Sequence, residues 1–226
     1  MFDRFELLIG NRINDIKSKR ILLIGIGGVG SYACESLIRS GILDITIVDN
    51  DIIDITNLNR QLMTNMHNIG KYKVDVMKDR IKSINPNCTI NIVKEFIDKS
   101  NISMLFNEHI DYVIDACDTI DTKVALIEYC KNNNIKIISC MGTGNKMDPS
   151  RLKIIDIGKT KYDKLSKIMR KRLNDIGIRH VDVVSSDEEA YTKIIKDIPS
   201  NSFVPATAGL LLTSYVINDI VGGINV

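Results

Sequence analysis

Gly25, Gly27, Gly28 and Gly30 form a GxGGxG turn between the apolar run RILLI and the amphipathic run SYACESLIRS, and Asp49 stands 19 residues beyond Gly30. Glycines in that order let the chain turn tightly and let phosphate oxygens approach the backbone. The helix that follows offers unpaired N–H groups and partial positive charge at its N-terminus. An acidic residue at the end of the next strand accepts a hydrogen bond from a ribose hydroxyl. The pattern predicts a nucleotide site over 25–30 with Asp49 on the ribose.

Charge decides which nucleotide fits. A dinucleotide pyrophosphate carries about two negative charges, which a helix N-terminus largely satisfies. ATP carries about four, together with a magnesium ion, and needs further cations and a carboxylate for the metal. The stretch VDNDIIDITNLNRQ, residues 48–61, holds more polar chemistry than a dinucleotide needs: Asp51, then Asn57, Asn59, Arg60 and Gln61. Arg60 lies just past the second strand, Lys73 opens the next helix behind Gly70, and Asp118 ends the fourth strand. All three converge on the carboxyl edge of the sheet, where open α/β sheets bind ligands. The convergence favours ATP with Mg2+. Taken singly, each residue has a plainer reading, as a solvated surface cation or a helix N-cap, and a nucleotide-dependent oxidoreductase remains the alternative class.

The elements that must hold these residues follow from periodicity. RILLI, DITIVDND, TINIVKEFI, DYVIDACD and IKIISCMG read as strands. Helices fall after Gly30, over 71–84 (Val74, Met77, Ile81 and Ile84 on one face, with Pro86 as the stop) and over TIDTKVALIEYCKNNN. This alternation predicts an α/β fold, a doubly wound, Rossmann-like, mostly parallel sheet. RLKIIDI and VDVVSS extend it at the C-terminal side, with a basic amphipathic helix over 162–176 between them and a last apolar helix over 206–220 after Pro205. Nothing reads as a flexible boundary. The expectation is one domain over 1–226, with a nucleotide-binding core over 1–147 and an extension over 148–226.

The chain has 226 residues, 44% hydrophobic and 26% charged, with a net charge of +2 at pH 7. Such a composition is that of a globular protein with a real core. The five cysteines, Cys34, Cys88, Cys117, Cys130 and Cys140, include no CxxC pair, so reduced thiols are expected rather than a zinc ribbon or redox pair. Charges at Asp3, Arg4 and Glu6 interrupt the N-terminus, and AGLLLTSYVI is about half of the roughly 20 residues of a spanning helix. A soluble, cytoplasmic protein with no transmembrane segment is expected. His67, His109 and His180 stand alone, and no role is assigned to them.

The small total charge hides a local excess. Between Gly158 and Arg172 lie seven basic residues, Lys159, Lys161, Lys164, Lys167, Arg170, Lys171 and Arg172, against one acid, Asp163. Leu165, Ile168, Met169, Leu173 and Ile176 are read as the apolar face. A solvated helix face, a membrane-surface helix and a phosphate-backbone contact are all compatible with that pattern.

GxGGxG, D-x-D at 49–51, N-x-x-R-Q at 57–61, G-x-x-K at 70–73 and D-x-x-D at 115–118 follow one another as in the ThiF/MoeB/HesA superfamily of ubiquitin-activating-enzyme-like adenylating proteins, which the chain resembles over 4–147. The resemblance implies that Asp49 holds the ribose. It implies that Asn57, Arg60 and Lys73 contact the phosphates together with the glycine turn, and that Asp118 binds magnesium. Arg60 and Lys73 would be catalytic with Arg4, which would reach the partner subunit's ATP site in a homodimer. FDRFELLIG, ISCMGTGNKMDPSRLKIIDIGKT and FVPATAGLLLTSYVINDI extend the resemblance, over nearly the whole chain, to the tRNA-modifying dehydratases of that superfamily. This implies ATP-dependent dehydration, by cyclisation, of N6-threonylcarbamoyladenosine in tRNA through carboxylate adenylation. Lys161, Lys164, Lys167, Arg170 and Lys171 would then bind tRNA, and a sulfur-transfer protein is a second candidate partner. The alternative is an adenylyltransferase for the C-terminal glycine of a ubiquitin-like sulfur carrier. The lack of CxxC and of any cysteine after Cys140 counts against covalent relay to such a partner.

Overall fold

β1 (Arg20–Ile24) is apolar along almost its whole length because both of its faces are covered. In the computed structural model, which describes residues 2–193 and 197–222, it lies near the centre of a seven-stranded sheet. The order is β3 (Thr89–Val93), β2 (Asp44–Val48), β1, β4 (Tyr112–Asp115), β5 (Lys136–Cys140), β7 (Asp182–Ser186), β6 (Leu152–Asp156). All neighbours pair in parallel except β6 with β7. The period-2 alternation of β1 sorts its side chains between two cores. Ile21 and Leu23 join α3 (Gly30–Arg39), α4 (Lys73–Ile84) and α7 (Phe203–Ile220) on one face. Leu22 and Ile24 join α5 (Ile120–Asn132) and α6 (Lys164–Asp175) on the other. The fold is therefore a doubly wound, Rossmann-like sheet in which the order of strand addition reverses between β1 and β4.

Several boundaries differ from the sequence expectation. α4 begins at Lys73 rather than Lys71, because Lys71 pairs with Ile53 across the neck of a loop. β3 ends at Val93, and Ile97 turns instead into the core beneath α5, where its carbonyl accepts the Thr122 hydroxyl. α7 begins at Phe203 and carries Pro205 in its first turn, where a missing N–H costs no helical bond. It is 18 residues long with mean hydropathy 1.3, so length and composition alone would let it cross a membrane. Its faces explain the apolarity differently: Val204, Ala208, Leu212 and Val216 are fully buried. At Gly209 an added Cβ would lie 2.3 Å from the Val29 carbonyl oxygen, so the helix lies directly against α3. Two helices unassigned from sequence, α1 (Asp3–Ile9) and α2 (Ile13–Lys17), precede β1.

One polar cluster sits inside this apolar frame. Lys123, in the first turns of α5, is wholly buried with its Nζ 2.9 Å from Asp115 Oδ2, 2.7 Å from the Cys140 carbonyl and 3.3 Å from Ser139 Oγ. Ser139 Oγ also donates to Asp115, and Asp115 Oδ1 accepts from the Cys117 N–H at 3.2 Å. Burial by itself lowers a lysine pKa, but the carboxylate alongside leaves Lys123 raised above the ordinary lysine value. Removing one partner of a fully buried pair leaves a charge without compensation, at a cost of about 3–5 kcal/mol, whereas replacing both by apolar side chains is close to neutral. Lys123→Met should therefore lose about 3–5 kcal/mol in urea unfolding, and Lys123→Met with Asp115→Leu should recover most of it. A single substitution that costs less than about 1 kcal/mol would contradict a charged pair at this position.

Candidate active site

The glycine turn lies at the carboxyl end of β1, at the reversal point of the sheet. Gly25 has φ of 87°, and an added Cβ there would lie 2.6 Å from the Ala116 carbonyl oxygen at the end of β4. At Gly30 a Cβ would fall 1.8 Å from the Gly25 carbonyl oxygen, so the turn closes only with hydrogen at that position. Gly27 is the opposite case: nothing lies within 4 Å of its Cβ direction. The N-cap of α3, Val29, supplies no side-chain acceptor, and although the Ser31 N–H donates to the Gly27 carbonyl at 3.0 Å, the helix N-terminus is left without a side-chain cap, as a phosphate site requires.

Asp49, just past β2, clips this turn in place. Its Oδ2 accepts the Ile26 N–H at 2.7 Å and its Oδ1 the Asp51 N–H at 2.9 Å. Burial pushes the Asp49 carboxyl above the usual carboxylate range, against the opposing pull of Lys73 and these two donors. Each oxygen retains a lone pair, so a ribose hydroxyl can still donate to it.

Arg60 and Lys73 are delivered by the loop between β2 and α4. Paired backbone bonds between Ile53 and residues 70 and 71 close its neck, and the Lys73 N–H donates to the Asp51 carbonyl at 3.0 Å. Lys73 is buried, with Nζ 2.6 Å from Asp51 Oδ2. Asp51 thus holds the lysine beside Asp49. Asn57 is buried and its Oδ1 accepts the Asp54 N–H at 3.0 Å in a capping box, so its carbonyl side orders the loop. The Arg60 guanidinium donates to the Thr56 carbonyl and to Asn59 Oδ1, both at 2.9 Å. Its stem lies over the glycine turn: a Cβ at Gly28 would be 3.2 Å from both Arg60 Cγ and Pro205 Cβ. Gln61 Oε1, on the residue after this arginine, is buried with no hydrogen-bond partner among the described residues.

Asp118 is exposed at the end of the β4 segment and makes no hydrogen bond or ion pair among the described residues. The α5 N-cap is Thr119, so Asp118 does not cap that helix. No group of three or more His, Cys, Asp or Glu residues converges among the described residues. That donor set is poor for an all-protein metal cage but suits Mg2+, which takes one or two carboxylates and completes its shell with phosphate oxygens and water. The cysteines nearest this edge are not activated. Burial, with Asp115 alongside, raises the Cys117 thiol far above its ordinary value, and burial pushes Cys140 up to about 12. All five cysteines are free. Thiolates of that kind are absent at neutral pH, so neither thiol is suited to nucleophilic relay.

The basic helix adjoins the same edge. Lys161, Lys164, Lys167 and Lys171 are exposed, and the last three share one face of α6. Arg170 differs from the expectation of a solvent-facing phosphate contact. It is half-buried and donates to the Ile157 and Thr160 carbonyls and to Thr160 Oγ1 at 2.7 Å, because the buried row of Met169 and Leu173 turns it inward. Arg172 pairs with Asp121 at 2.6 Å. Ile168 and Ile176, expected on the apolar face, are exposed. Asp163 caps α6 through the Leu165 and Ser166 N–H groups and accepts the Gly142 N–H at 3.1 Å, which ties the helix to the loop leaving β5. Sequence reasoning counted Asn59 among the surplus polar residues but missed its role: its Nδ2 donates to the Ser200 carbonyl at 3.1 Å and links the arginine loop to the segment entering α7. It missed Lys146 altogether, a buried residue with its Nζ on the Glu188 carbonyl. Both are long-range contacts without a local signature.

The family model described as ThiF matches residues 4–164. The tRNA threonylcarbamoyladenosine dehydratase of Bacillus subtilis is 41% identical over 244 residues, covering 100% of this chain and 96% of that protein. The Escherichia coli protein of the same name is 41% identical over 70% of this chain and 59% of its own length. The crystal structure of E. coli tRNA N6-threonylcarbamoyladenosine dehydratase in complex with AMP superposes with a TM-score of 0.92, covering 97% of this chain and 93% of that one at 34% identity. The same enzyme in complex with ATP gives 0.91. A matched model over most of the sequence, a full-length relative and a fold shared from end to end agree: this chain belongs to the ThiF family.

Proposed function

We propose that this chain, in the cytoplasm, uses ATP to dehydrate N6-threonylcarbamoyladenosine in tRNA, closing the threonylcarbamoyl side chain into its cyclic form. The observation that carries the reading is the convergence at one sheet edge of a glycine turn, Asp49, Lys73 and Arg60, joined through Asp163 to an exposed lysine face. The first group suits a triphosphate and the second an RNA backbone. The relatives of the same name, one of them full-length, support the same substrate.

The chemistry follows from these groups. The amides around Gly27 and Gly28 bind phosphate oxygens, Asp49 accepts from the ribose, and Arg60 and Lys73 offset the charge that grows on the pyrophosphate as it leaves. Asn57 keeps the arginine loop closed around the phosphates. Asp118 would hold Mg2+, which supplies electrostatic neutralisation of the phosphates when bound. A substrate carboxylate oxygen attacks the α-phosphorus, forming an acyl-adenylate and releasing pyrophosphate. A nucleophile tethered to the same side chain then attacks the acyl carbon and expels AMP, with the proximity advantage of an intramolecular step. No enzyme nucleophile is required, in keeping with the inert buried thiols.

A homodimer belongs to the proposal. α1 contains no buried residue, and Leu7 and Leu8 are 87% and 78% exposed beside exposed Arg4. An apolar helix surface of that kind fits a second copy, which would bring Arg4 to the neighbouring phosphate site. A sulfur-transfer protein remains a further candidate partner.

Purified protein with ATP, magnesium and tRNA bearing the open nucleoside should lower the nucleoside mass by one water, with AMP and pyrophosphate as products. An unchanged mass spectrum, or pyrophosphate exchange that depends on a Gly-Gly-ended carrier and not on tRNA, would overturn the reading. Arg60→Ala should reduce turnover by at least about a hundredfold while tRNA affinity stays within about twofold. Lys167→Glu with Lys171→Glu should do the reverse, weakening tRNA binding and flattening its dependence on log salt by about two counterions. Mixed dimers of Arg4→Ala and Arg60→Ala subunits should regain part of the activity that neither homodimer has, because one of the two sites is then complete. A verified heterodimer with no recovery would rule out Arg4 acting across the interface.

A further inference from the structure

Tyr162 stands at the start of the basic helix in a conformation that a tyrosine does not adopt by preference. Its φ is 58°, and of the three non-glycine residues at positive φ among those described, the other two are asparagines. Left-handed backbone costs an L-residue roughly 1–2 kcal/mol, and asparagine relieves part of that by local hydrogen bonding while tyrosine cannot. The ring is 60% exposed. Among the described residues its hydroxyl makes no hydrogen bond and its ring no aromatic or cationic contact. An apolar ring is thus held in solvent on a strained backbone.

The strain is imposed from both sides. Upstream, Thr160 is buried, its hydroxyl donates to the Ile157 carbonyl and accepts from Arg170, and its carbonyl accepts the same guanidinium. Downstream, Asp163 is fixed by the α6 cap and by the Gly142 N–H; a Cβ at Gly142 would lie 2.6 Å from its Oδ1. Two residues must cross between these anchors, and Tyr162 absorbs the turn. The exposed charges next to it in the chain are cationic, Lys161 and Lys164, with Lys167 and exposed Ile168 on the next turn, while Asp163 is partly buried in its cap. Gly142 leaves the carboxyl end of β5 and is tied to Asp163, so Tyr162 lies where the chain passes from that sheet edge to the lysine face.

Single-stranded RNA is recognised by aromatic rings that stack on unpaired bases, with cations tracking the phosphates on either side. From this juxtaposition we propose that Tyr162 is a stacking platform for an unpaired base of the tRNA, one adjacent to the nucleoside that reacts. The ring binds a base face without reading its identity. The lysines hold the phosphates around it, and the anchored backbone presents the ring without loss of loop entropy on binding. This inference rests on tRNA being the partner.

Equilibrium binding of tRNA, measured apart from turnover, tests it. Tyr162→Phe should bind within about twofold of wild type, and Tyr162→Ala should weaken binding roughly five- to a hundredfold. Stacking releases no counterions, so the slope of log affinity against log salt should stay that of wild type in both, unlike the lysine substitutions. Tyr162→Gly is the decisive variant. Glycine relieves the backbone strain, so the melting temperature should be no lower than wild type, while tRNA affinity falls as for alanine. Undiminished affinity in the alanine and glycine variants, or a loss accompanied by a reduced salt slope, would overturn the stacking role. A wild-type protein that binds tRNA but leaves its nucleosides unchanged would overturn the dehydratase reading while leaving this comparison intact.

Discussion

The carboxyl edge of the sheet is set by a charge pair that no water reaches. Lys123 joins α5 to the ends of β4 and β5 at once, because its three polar contacts are Asp115, Ser139 and the Cys140 carbonyl. The other oxygen of Asp115 holds the Cys117 N–H, which directs the chain into the exposed turn bearing Asp118. An ammonium group with fixed bond directions specifies relative placement more strictly than aliphatic contact does, and buried polar groups can serve such positioning at little gain in stability. The turn bearing Asp118 and the β5 loop that meets α6 both start from this fixed point.

From there the site is built mostly of backbone. The glycine turn closes at Gly30 only without a side chain, Asp49 secures it through amide donors, and Lys73 is positioned by Asp51 before any ligand enters. Arg60 is likewise held by Thr56 and Asn59. A site with its cations already placed loses less conformational entropy when phosphates arrive, and fixed dipoles aimed at developing charge lower a barrier without reorganising.

The alternation of strands and helices and the nucleotide turn were readable because their signals are local. Glycines followed by a helix, apolar runs five residues long and an acid after the second strand each occupy a few adjacent positions. The ends of elements were less readable because tertiary contacts set them: Lys71 is drawn out of α4 by Ile53, Ile97 leaves the β3 line for the core under α5, and Pro205 is carried inside α7. The same reason explains Arg170. A count of charges from Gly158 to Arg172 cannot tell which of them the helix rotates inward. Asn59 and Asp163 act across 141 and 21 residues of sequence, so their partners had no pattern to announce them.

The contact of Pro205 with the Gly28 turn, and of Gly209 with Val29, bears on how such an enzyme can be assembled. The last helix forms part of the floor under the phosphate loop near the start of the chain, so nucleotide binding reports on the integrity of both ends. A polypeptide ending near residue 147 would present the family's whole set of nucleotide motifs with one wall of their setting missing. During synthesis the site stays incomplete until α7 leaves the ribosome, which ties competence for ATP to the arrival of a segment far from the nucleotide motifs in sequence.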